Sequence, residues 1–256
     1  LSKRDMGANM DDYTRMGYCP EAVCEYVMTL LNSNYEEWHM QNADKPYTDF
    51  PFNIKKMSSS GCLFDFNKLN DVSKNVISLM TAEEVYEKSL AWAKAFDEEL
   101  YNLLSADEAF AKGILSIDRG TAKPRKDIAK WDEIKDYISY FYNEIYTPDY
   151  TLPENVSKED AAAVLEAYLN VFDAEDDKDT WFNKIKELCE PLGFTPNVKE
   201  YKKNPEAFKG HVGDVSTVIR IAITSRRNTP DLHSIIALLG NDEIKARLTK
   251  ALNEYK

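Results

Sequence analysis

The sequence has 256 residues, of which 43% are hydrophobic and 30% are charged, with only 9 glycines and 10 prolines. This composition allows one or two globular domains and excludes collagen-like and low-complexity chains. The net charge of −12 disfavours a protein that coats nucleic acid without specificity, because such a protein needs a basic surface. The longest apolar runs, such as Ile235 to Leu239, are too short to cross a bilayer, so no membrane partner is expected.

Helix-start signals recur along the chain. Capping boxes are predicted at Thr81–Glu84 and Ser105–Glu108, with a weaker one at Ser157–Asp160. In this motif a hydroxyl and an acidic side chain three residues later satisfy the first amides of a helix. Gly193 and Gly240 lie where helices are expected to end.

Apolar residues recur at helical spacing in four stretches, which are 82–104, 131–146, 161–172 and 181–192. The run Val218–Ile223 resembles a strand, but no turn residue follows it until Ser225, which favours a helix. The sequence therefore predicts an all-α fold of about ten helices.

Two parts are predicted, with a boundary between residues 104 and 105. Residues 32–62 are polar, contain proline and lack a clear period, so we expect a long connection inside the first part. Residues 147–157 carry two prolines and are typical of a hinge, which predicts a possible subdivision of the second part near 150–157.

The cysteines have no CxxC spacing; they are Cys19, Cys24, Cys62 and Cys189. This pattern predicts neither a disulfide framework nor a metal site, and it fits a reducing cytoplasm.

Basic charge is concentrated in one loop of this acidic chain. Residues 112–126 hold five basic residues and one acid, and most of the bases lie in the Gly- and Pro-containing loop 119–126. A second basic position is Arg220, with Arg226 and Arg227 nearby in sequence. Such clusters are candidates for contact with phosphate groups.

The first four residues are Leu1, Ser2, Lys3 and Arg4. A Ser-Lys-Arg cluster on a loop can place cationic donors around a triphosphate. Negative charge builds on the leaving pyrophosphate during attack on the α-phosphate, and a loop lysine stabilises that charge more in the transition state than in the ground state.

Segments at both ends of the chain resemble bacterial glutamyl-tRNA synthetases. The opening residues resemble that family's Lys-Leu-Ser-Lys-Arg signature loop, and residues 13–22 resemble its Tyr-x-x-x-Gly-Tyr-x-Pro-Glu-Ala helix entry. Residues 62–69 are similar to its Phe-Asp-x-x-Lys-Leu segment. Residues 218–224 and 230–240 look like its Leu-Arg-Val-Ala-Leu-Thr and Leu-Leu-Gly blocks.

This resemblance implies a stem-contact helical domain over 1–104 and an α-helical anticodon-binding domain, a helix bundle or cage, over 105–256. The chain departs from the family because it has no His-x-Gly-His pair, its histidines being His39, His211 and His233. The nucleotide-binding catalytic domain that carries this pair is therefore expected to be absent from this fragment. The full-length parent is expected to couple glutamate to its tRNA with ATP and Mg²⁺, as a cytoplasmic monomer, whereas the fragment alone is expected to be inactive and to hold no cofactor.

The resemblance also implies site residues. Lys3 matches the catalytic loop lysine, and Ser2, Lys3 and Arg4 form the expected ATP-binding loop. For the tRNA anticodon we select Arg119, Arg125 and Lys126, since their loop leads into an aromatic helix and unpaired bases are read by arginine contacts and stacking. Arg220 is a further candidate, with a buried structural role equally open.

Other interpretations of these residues stay open. The aromatic residues of the 131–142 helix, which are Trp131, Tyr137, Tyr140, Phe141 and Tyr142, follow the helical period and favour a core role over stacking on bases. Arg226 and Arg227 are typical of a solvated turn. For the whole chain, the alternatives are a helical interaction module without an RNA partner and a glutamine-specific synthetase, whose anticodon domains are β-barrels.

Overall fold

A computed structural model of the protein describes residues 9–42, 45–57 and 62–256. Within these ranges the chain forms thirteen α-helices and six short 3-10 helices, and its only β-bridge there is isolated, between Thr195 and His211. The predicted all-α fold class is confirmed. The chain divides into two compact units, Leu1–Ile138 and Ser139–Lys256.

The first unit contains eight of these α-helices. They are α1 (Met10–Arg15), α2 (Pro20–Leu31), α3 (Tyr35–Gln41), α4 (Phe66–Leu79), α5 (Ala82–Phe96), α6 (Glu98–Ala106), α7 (Glu108–Ser116) and α8 (Ile134–Ile138). Short 3-10 helices lie at Tyr47–Asp49, Ile54–Lys56 and Trp131–Glu133. The predicted connection 32–62 thus contains α3 and two 3-10 turns in its described part.

The second unit contains the other five α-helices. They are α9 (Lys158–Val171), α10 (Lys178–Cys189), α11 (Val198–Lys203), α12 (Val212–Thr224) and α13 (Leu232–Tyr255). Short 3-10 helices lie at Ser139–Phe141, Glu190–Leu192 and Pro205–Ala207. The strand-like run Val218–Ile223 lies inside α12, so the helix prediction is confirmed.

The predicted helix starts are mostly present. At α5 the Thr81 hydroxyl accepts from the Glu84 amide at 3.2 Å and the Glu84 carboxylate accepts from the Thr81 amide at 2.7 Å, which completes the capping box. Ser157 caps α9 in the same position. The box predicted at Ser105 is wrong. Asp107 caps α7 instead, accepting from the Phe110 amide, because its carboxylate lies directly before the helix in extended backbone.

Both predicted glycine breaks adopt positive φ. Gly193 ends the Glu190–Leu192 turn at φ 84°. Gly240 does not end α13 but interrupts it, with φ 78° and ψ 167°, so the helix continues to Tyr255 beyond a break. An L side chain rarely adopts this backbone conformation, which explains why glycine occupies the break.

An aromatic cluster forms the core at the start of the first unit. Tyr13, Tyr18 and Tyr26 are buried together with Val23 and Leu69, and α2 packs on α4. The loop between α1 and α2 is attached to the end of the unit, since the Trp131 amide donates to the Gly17 carbonyl at 2.8 Å. This bond joins residues 114 positions apart in sequence.

The core of the second unit is formed by α9, α12 and α13. Val218, Ile219 and Ile223 of α12 are fully buried. One charged residue is also buried there: Arg247 of α13 is only 4% exposed. A charged side chain at this depth needs partners for its donors, and Arg247 finds them in main-chain carbonyls and in Glu243.

The compact units do not divide where the sequence predicts. Their boundary lies at 138/139, because α5, α6 and α7 pack on one another and belong to the first unit. The boundary at 104/105 separates the two domains that the resemblance implies, and it stays a prediction. The segment 147–157 is hydrogen-bonded within the second unit, through Asp149 to Ser225 and Leu152 to Arg227. Its role as a hinge also stays a prediction.

No helix in the part of the chain that the structure describes is both long and apolar enough to span a membrane.

The N-cap of α13 makes stability depend on pH. Asp231 accepts from the Ser234 amide at 3.0 Å and from Lys178 Nζ at 2.6 Å. Burial alone would raise the pKa of Asp231, but the hydrogen bonds from Lys178 and Ser234 together outweigh it and lower the pKa below its usual value. The carboxylate therefore stabilises the fold above the unfolded-state pKa of about 4, and this contribution is lost as the pH falls through the lowered value.

We expect Asp231→Asn to lower the free energy of unfolding at pH 7 by up to about 1 kcal/mol, because asparagine keeps the cap but loses the ion pair. Urea unfolding at pH 7 and again below pH 4 measures this difference, which should shrink at the lower pH. Lys178→Met is the matched control, since it removes the same ion pair and should cause a similar loss at pH 7. A loss in Asp231→Asn that is equal at both pH values would contradict the assignment.

Candidate functional site

The predicted ATP-binding loop lies outside the described residues. Ser2, Lys3 and Arg4 all fall within residues 1–8, for which the structure gives no placement. The catalytic role of Lys3 therefore stays a prediction of the resemblance.

Arg119 is half-buried and its guanidinium is used inside the first unit. Nη1 donates to the carbonyls of Ile77 at 2.6 Å and Met80 at 3.1 Å, and Nε donates to the carbonyl of Leu115 at 2.9 Å. The Ile77 and Met80 carbonyls lie at the end of α4, where helices leave carbonyls without partners. Burial lowers the pKa of Arg119. Arg119 thus closes a helix C-terminus, which is a structural role.

Arg125 and Lys126 differ in what surrounds them. Arg125 makes a two-pronged ion pair with Asp127, with Nε to Oδ2 at 2.6 Å and Nη2 to Oδ1 at 3.0 Å. Hydrogen bonding to Asp127 raises the pKa of Arg125. Lys126 is exposed, and the described ranges hold no ion pair to it. Of the three residues selected from this loop, Lys126 is therefore the exposed one, and its contact with RNA stays a prediction.

The structure brings Arg119 and Arg125 to one small cavity. Its lining includes both arginines, Lys74 and Tyr137, and its volume is about 10 Å³, room for no more than a water molecule. This cavity cannot admit a nucleobase.

Arg220 lies in the second unit. It is half-buried, and it donates to the Thr229 hydroxyl and to the Pro230 carbonyl. These bonds attach α12 to the loop that precedes α13. The structural role left open for Arg220 is thus present, and a contact with RNA stays a prediction.

The aromatic residues after the basic loop are mainly core residues. Trp131, Tyr140, Phe141 and Tyr142 are buried, and only Tyr137 is half-buried. The core interpretation, rather than a platform for stacked bases, fits their burial. Arg226 follows α12, where a solvated turn was predicted, but it is half-buried, and its guanidinium donates to the Ser139 hydroxyl at 3.2 Å.

Sequence reasoning missed a second basic element. Helix α11 presents Lys199, Lys202 and Lys203, all exposed and without an ion pair among the residues that the structure places. The signal was present as three lysines within five residues. It is weaker than the larger run of basic residues at 112–126, which is why the loop was selected first.

Comparison with known proteins shows what the chain is similar to. A family model described as "Anticodon binding domain" matches residues 199–252. The glutamate–tRNA ligase of Acetivibrio thermocellus is 47% identical over 253 residues, which cover 98% of this chain and 46% of that protein. The corresponding enzyme of Clostridium perfringens is 43% identical over 257 residues, with 98% of this chain and 47% of the relative covered. The chain is homologous to the C-terminal region of bacterial glutamate–tRNA ligases.

The chain spans about half the length of these glutamate–tRNA ligases. Solved structures share the fold. A glutamate–tRNA ligase from Elizabethkingia meningosepticum, solved with its amino acid, matches 95% of this chain and 43% of its own with a TM-score of 0.58 at 19% identity. The synthetase from Elizabethkingia anophelis gives 0.60 at 17% identity, over 94% of this chain and 42% of its own.

The match to the anticodon-binding family covers only some of the residues that were predicted to contact tRNA. Residues 199–252 include Arg220 and the α11 lysines. They exclude Arg119, Arg125 and Lys126, which lie in the first compact unit. Part of α11 therefore lies inside the matched region, whereas the loop chosen from charge alone lies outside it.

Proposed function

We propose that this chain is the tRNA-binding part of a glutamate–tRNA ligase. The whole protein would activate glutamate with ATP and Mg²⁺ and transfer it to the 3′ end of tRNA(Glu). The observation that carries this proposal is the 47% identity to a glutamate–tRNA ligase across 98% of the chain. The anticodon-binding match at 199–252 supports the same partner.

In this proposal Lys3 stabilises the triphosphate during activation, and Ser2 and Arg4 support its loop. The loop acts together with the protein's own catalytic domain, and the fragment alone is inactive. The protein works as a monomer in the cytoplasm, where tRNA and ATP are available.

The two rival functions have less support. A glutamine-specific synthetase would need a β-barrel anticodon domain, whereas residues 139–256 fold as helices with one isolated bridge. An interaction module without RNA is favoured only by the net charge of −12. The net charge of the whole chain does not describe its local surface, on which the exposed lysines of α11 and Lys126 can contact phosphate.

A salt titration tests the proposed function. We expect the 256-residue chain to bind tRNA(Glu) more tightly than an unrelated RNA of equal length, with affinity that falls as salt rises because phosphate contacts release counterions. Equal affinity for both RNAs, or binding insensitive to salt, would support the interaction module instead.

Substitution of single cations tests which surface binds. We expect Arg125→Ala and Lys126→Ala each to weaken tRNA binding more than Arg227→Ala. Each should also reduce the slope of log affinity against log salt by about 1, because one phosphate is no longer neutralised. Arg119→Ala is also expected to weaken binding, but through loss of its bonds to the end of α4, so its melting temperature must be measured alongside.

Lys202→Ala extends this comparison to α11. A loss of affinity for Lys202→Ala with none for the three loop variants would place the RNA-binding surface at α11. Equal effects of all variants, Arg227→Ala included, would remove the reason for selecting the loop.

A further inference from the structure

A pocket on the first unit has no role in the function described so far. It lies between α3 and the segment Phe50–Lys56, has a volume of about 240 Å³, and is lined by both polar and aromatic side chains. We propose that this pocket binds one unstacked nucleobase of the tRNA. This inference rests on the proposed function for its partner, and on the pocket itself for its chemistry.

The apolar wall of the pocket is the ring of Trp38, which packs against other aromatic rings. Trp38 is half-buried, and its ring meets that of Phe50 at 5.4 Å and 66°. Phe50 in turn contacts the buried Tyr35 at 5.2 Å and 86°. Because two buried rings hold it, the indole loses little conformational freedom when a base packs against it. Stacking on aromatic side chains is the usual way in which proteins hold an unpaired base.

The polar edges of the pocket are held in place by hydrogen bonds. The buried Asn32 donates to the Asn53 carbonyl at 3.3 Å and accepts from the Asn34 amide at 3.4 Å. One buried side chain thus ties the two sides of the pocket together. The side-chain amide of Asn34 lines the pocket, where its Oδ1 accepts from the Ser33 hydroxyl at 3.4 Å and its NH₂ group can donate to a base edge.

One carboxylate gives the pocket a preference among bases. Glu37 lines it, and in its charged form it can only accept hydrogen bonds. Guanine presents an N–H and an amino group side by side on its Watson–Crick edge, whereas uracil presents a single N–H between two carbonyls. We therefore expect guanine to be favoured over uracil.

Positive charge accompanies the pocket. Lys55 and Lys56 are exposed on the 3-10 helix Ile54–Lys56, and Lys56 lines the pocket itself. Residues 45–57 hold three lysines and one acid, in a protein whose net charge is −12. A nucleobase entering the pocket would bring its own phosphate toward these lysines.

Trp38→Leu tests the proposal in the 256-residue chain. We expect tRNA(Glu) binding to weaken about tenfold, the usual effect of losing one stacked base. Phe96→Leu is the control, since Phe96 is 47% exposed on α5 and is not among the residues that line this pocket. Lys56→Gln should weaken binding less and lower the salt slope, with Lys94→Gln as its control.

Titration with GMP, AMP, CMP and UMP distinguishes a base of the tRNA from a free nucleotide. If the wild-type chain binds tRNA(Glu) and Trp38→Leu binds it equally well, the pocket is not a base site and the proposed function stands. If the wild type binds no tRNA, the proposed function fails, and with it the pocket as an RNA site, whether or not GMP binds. GMP binding that is lost in Trp38→Leu, together with weakened tRNA binding, supports the proposal. UMP binding as tight as GMP binding would overturn the role of Glu37.

Discussion

Replacing Gly17 by alanine is expected to lower the free energy of unfolding of the first unit by about 3 kcal/mol, because two costs add. Gly17 has φ +89°, which an L side chain adopts only with strain. A Cβ placed there would lie 2.9 Å from the backbone nitrogen of Trp131 and 3.0 Å from that of Asp132. Both neighbours are main-chain atoms, so neither can turn aside as a flexible side chain would.

Gly120→Ala is the matched control for this prediction. Gly120 has φ +72°, but no atom lies within 4 Å of a Cβ built on it. The control therefore incurs only the backbone strain, about 1 kcal/mol. Urea unfolding followed by circular dichroism measures both variants. If both lose the same amount, the close approach to Trp131 contributes nothing and the explanation is wrong.

The second large effect is expected at Arg247. This buried side chain donates to the carbonyls of Tyr140 at 2.6 Å and Ile223 at 2.9 Å, and it pairs with Glu243 at 2.6 Å. Its guanidinium also lies 4.2 Å from the centre of the Tyr146 ring. Arg247→Leu removes the donor to the Tyr140 carbonyl and the ion pair with Glu243, while the Ile223 carbonyl keeps the Tyr146 hydroxyl as a donor at 3.3 Å. We expect a loss of at least about 3 kcal/mol in the second unit.

Two further variants make this prediction specific. Arg247→Lys keeps the charge but cannot reproduce the planar fork, so an intermediate loss is expected. Lys245→Ala, on the exposed face of the same helix, should change stability by no more than about 0.5 kcal/mol. Stability of Arg247→Leu equal to that of the wild type would show that the buried charge costs as much as its hydrogen bonds contribute.

Local signals explain what could be predicted about the fold. Capping at Thr81 and Ser157 depends on residues within four positions, so the sequence shows it directly. The prediction at Ser105 failed for an equally local reason, since Asp107 offers a charged acceptor two residues later. Helix α12 was the harder case, because a short apolar run is compatible with either a strand or a helix.

The candidate site was less predictable because side-chain partners are distant in sequence. Clustering of charge pointed to Arg119, but its guanidinium is occupied by the carbonyls of Ile77 and Met80, which lie 42 and 39 positions earlier. The role of Arg247 could not be predicted from the sequence either, since three of its partners lie far from it along the chain. The pocket beside Trp38 combines two segments whose sequences show no shared period.

The bond between the Trp131 amide and the Gly17 carbonyl has a consequence for how the protein is made. Ser73 of α4 also donates to the carbonyl of Ala129, at 2.6 Å. Residues 129–131 are therefore hydrogen-bonded both to α4 and to the loop between α1 and α2. A ribosome delivers the chain from its N-terminus, and domains fold as units once their residues emerge. The first unit must therefore wait, partly assembled, until residue 131 has left the ribosome. Nascent chains halted before that point should be digested readily by protease, and chains halted well after it should resist.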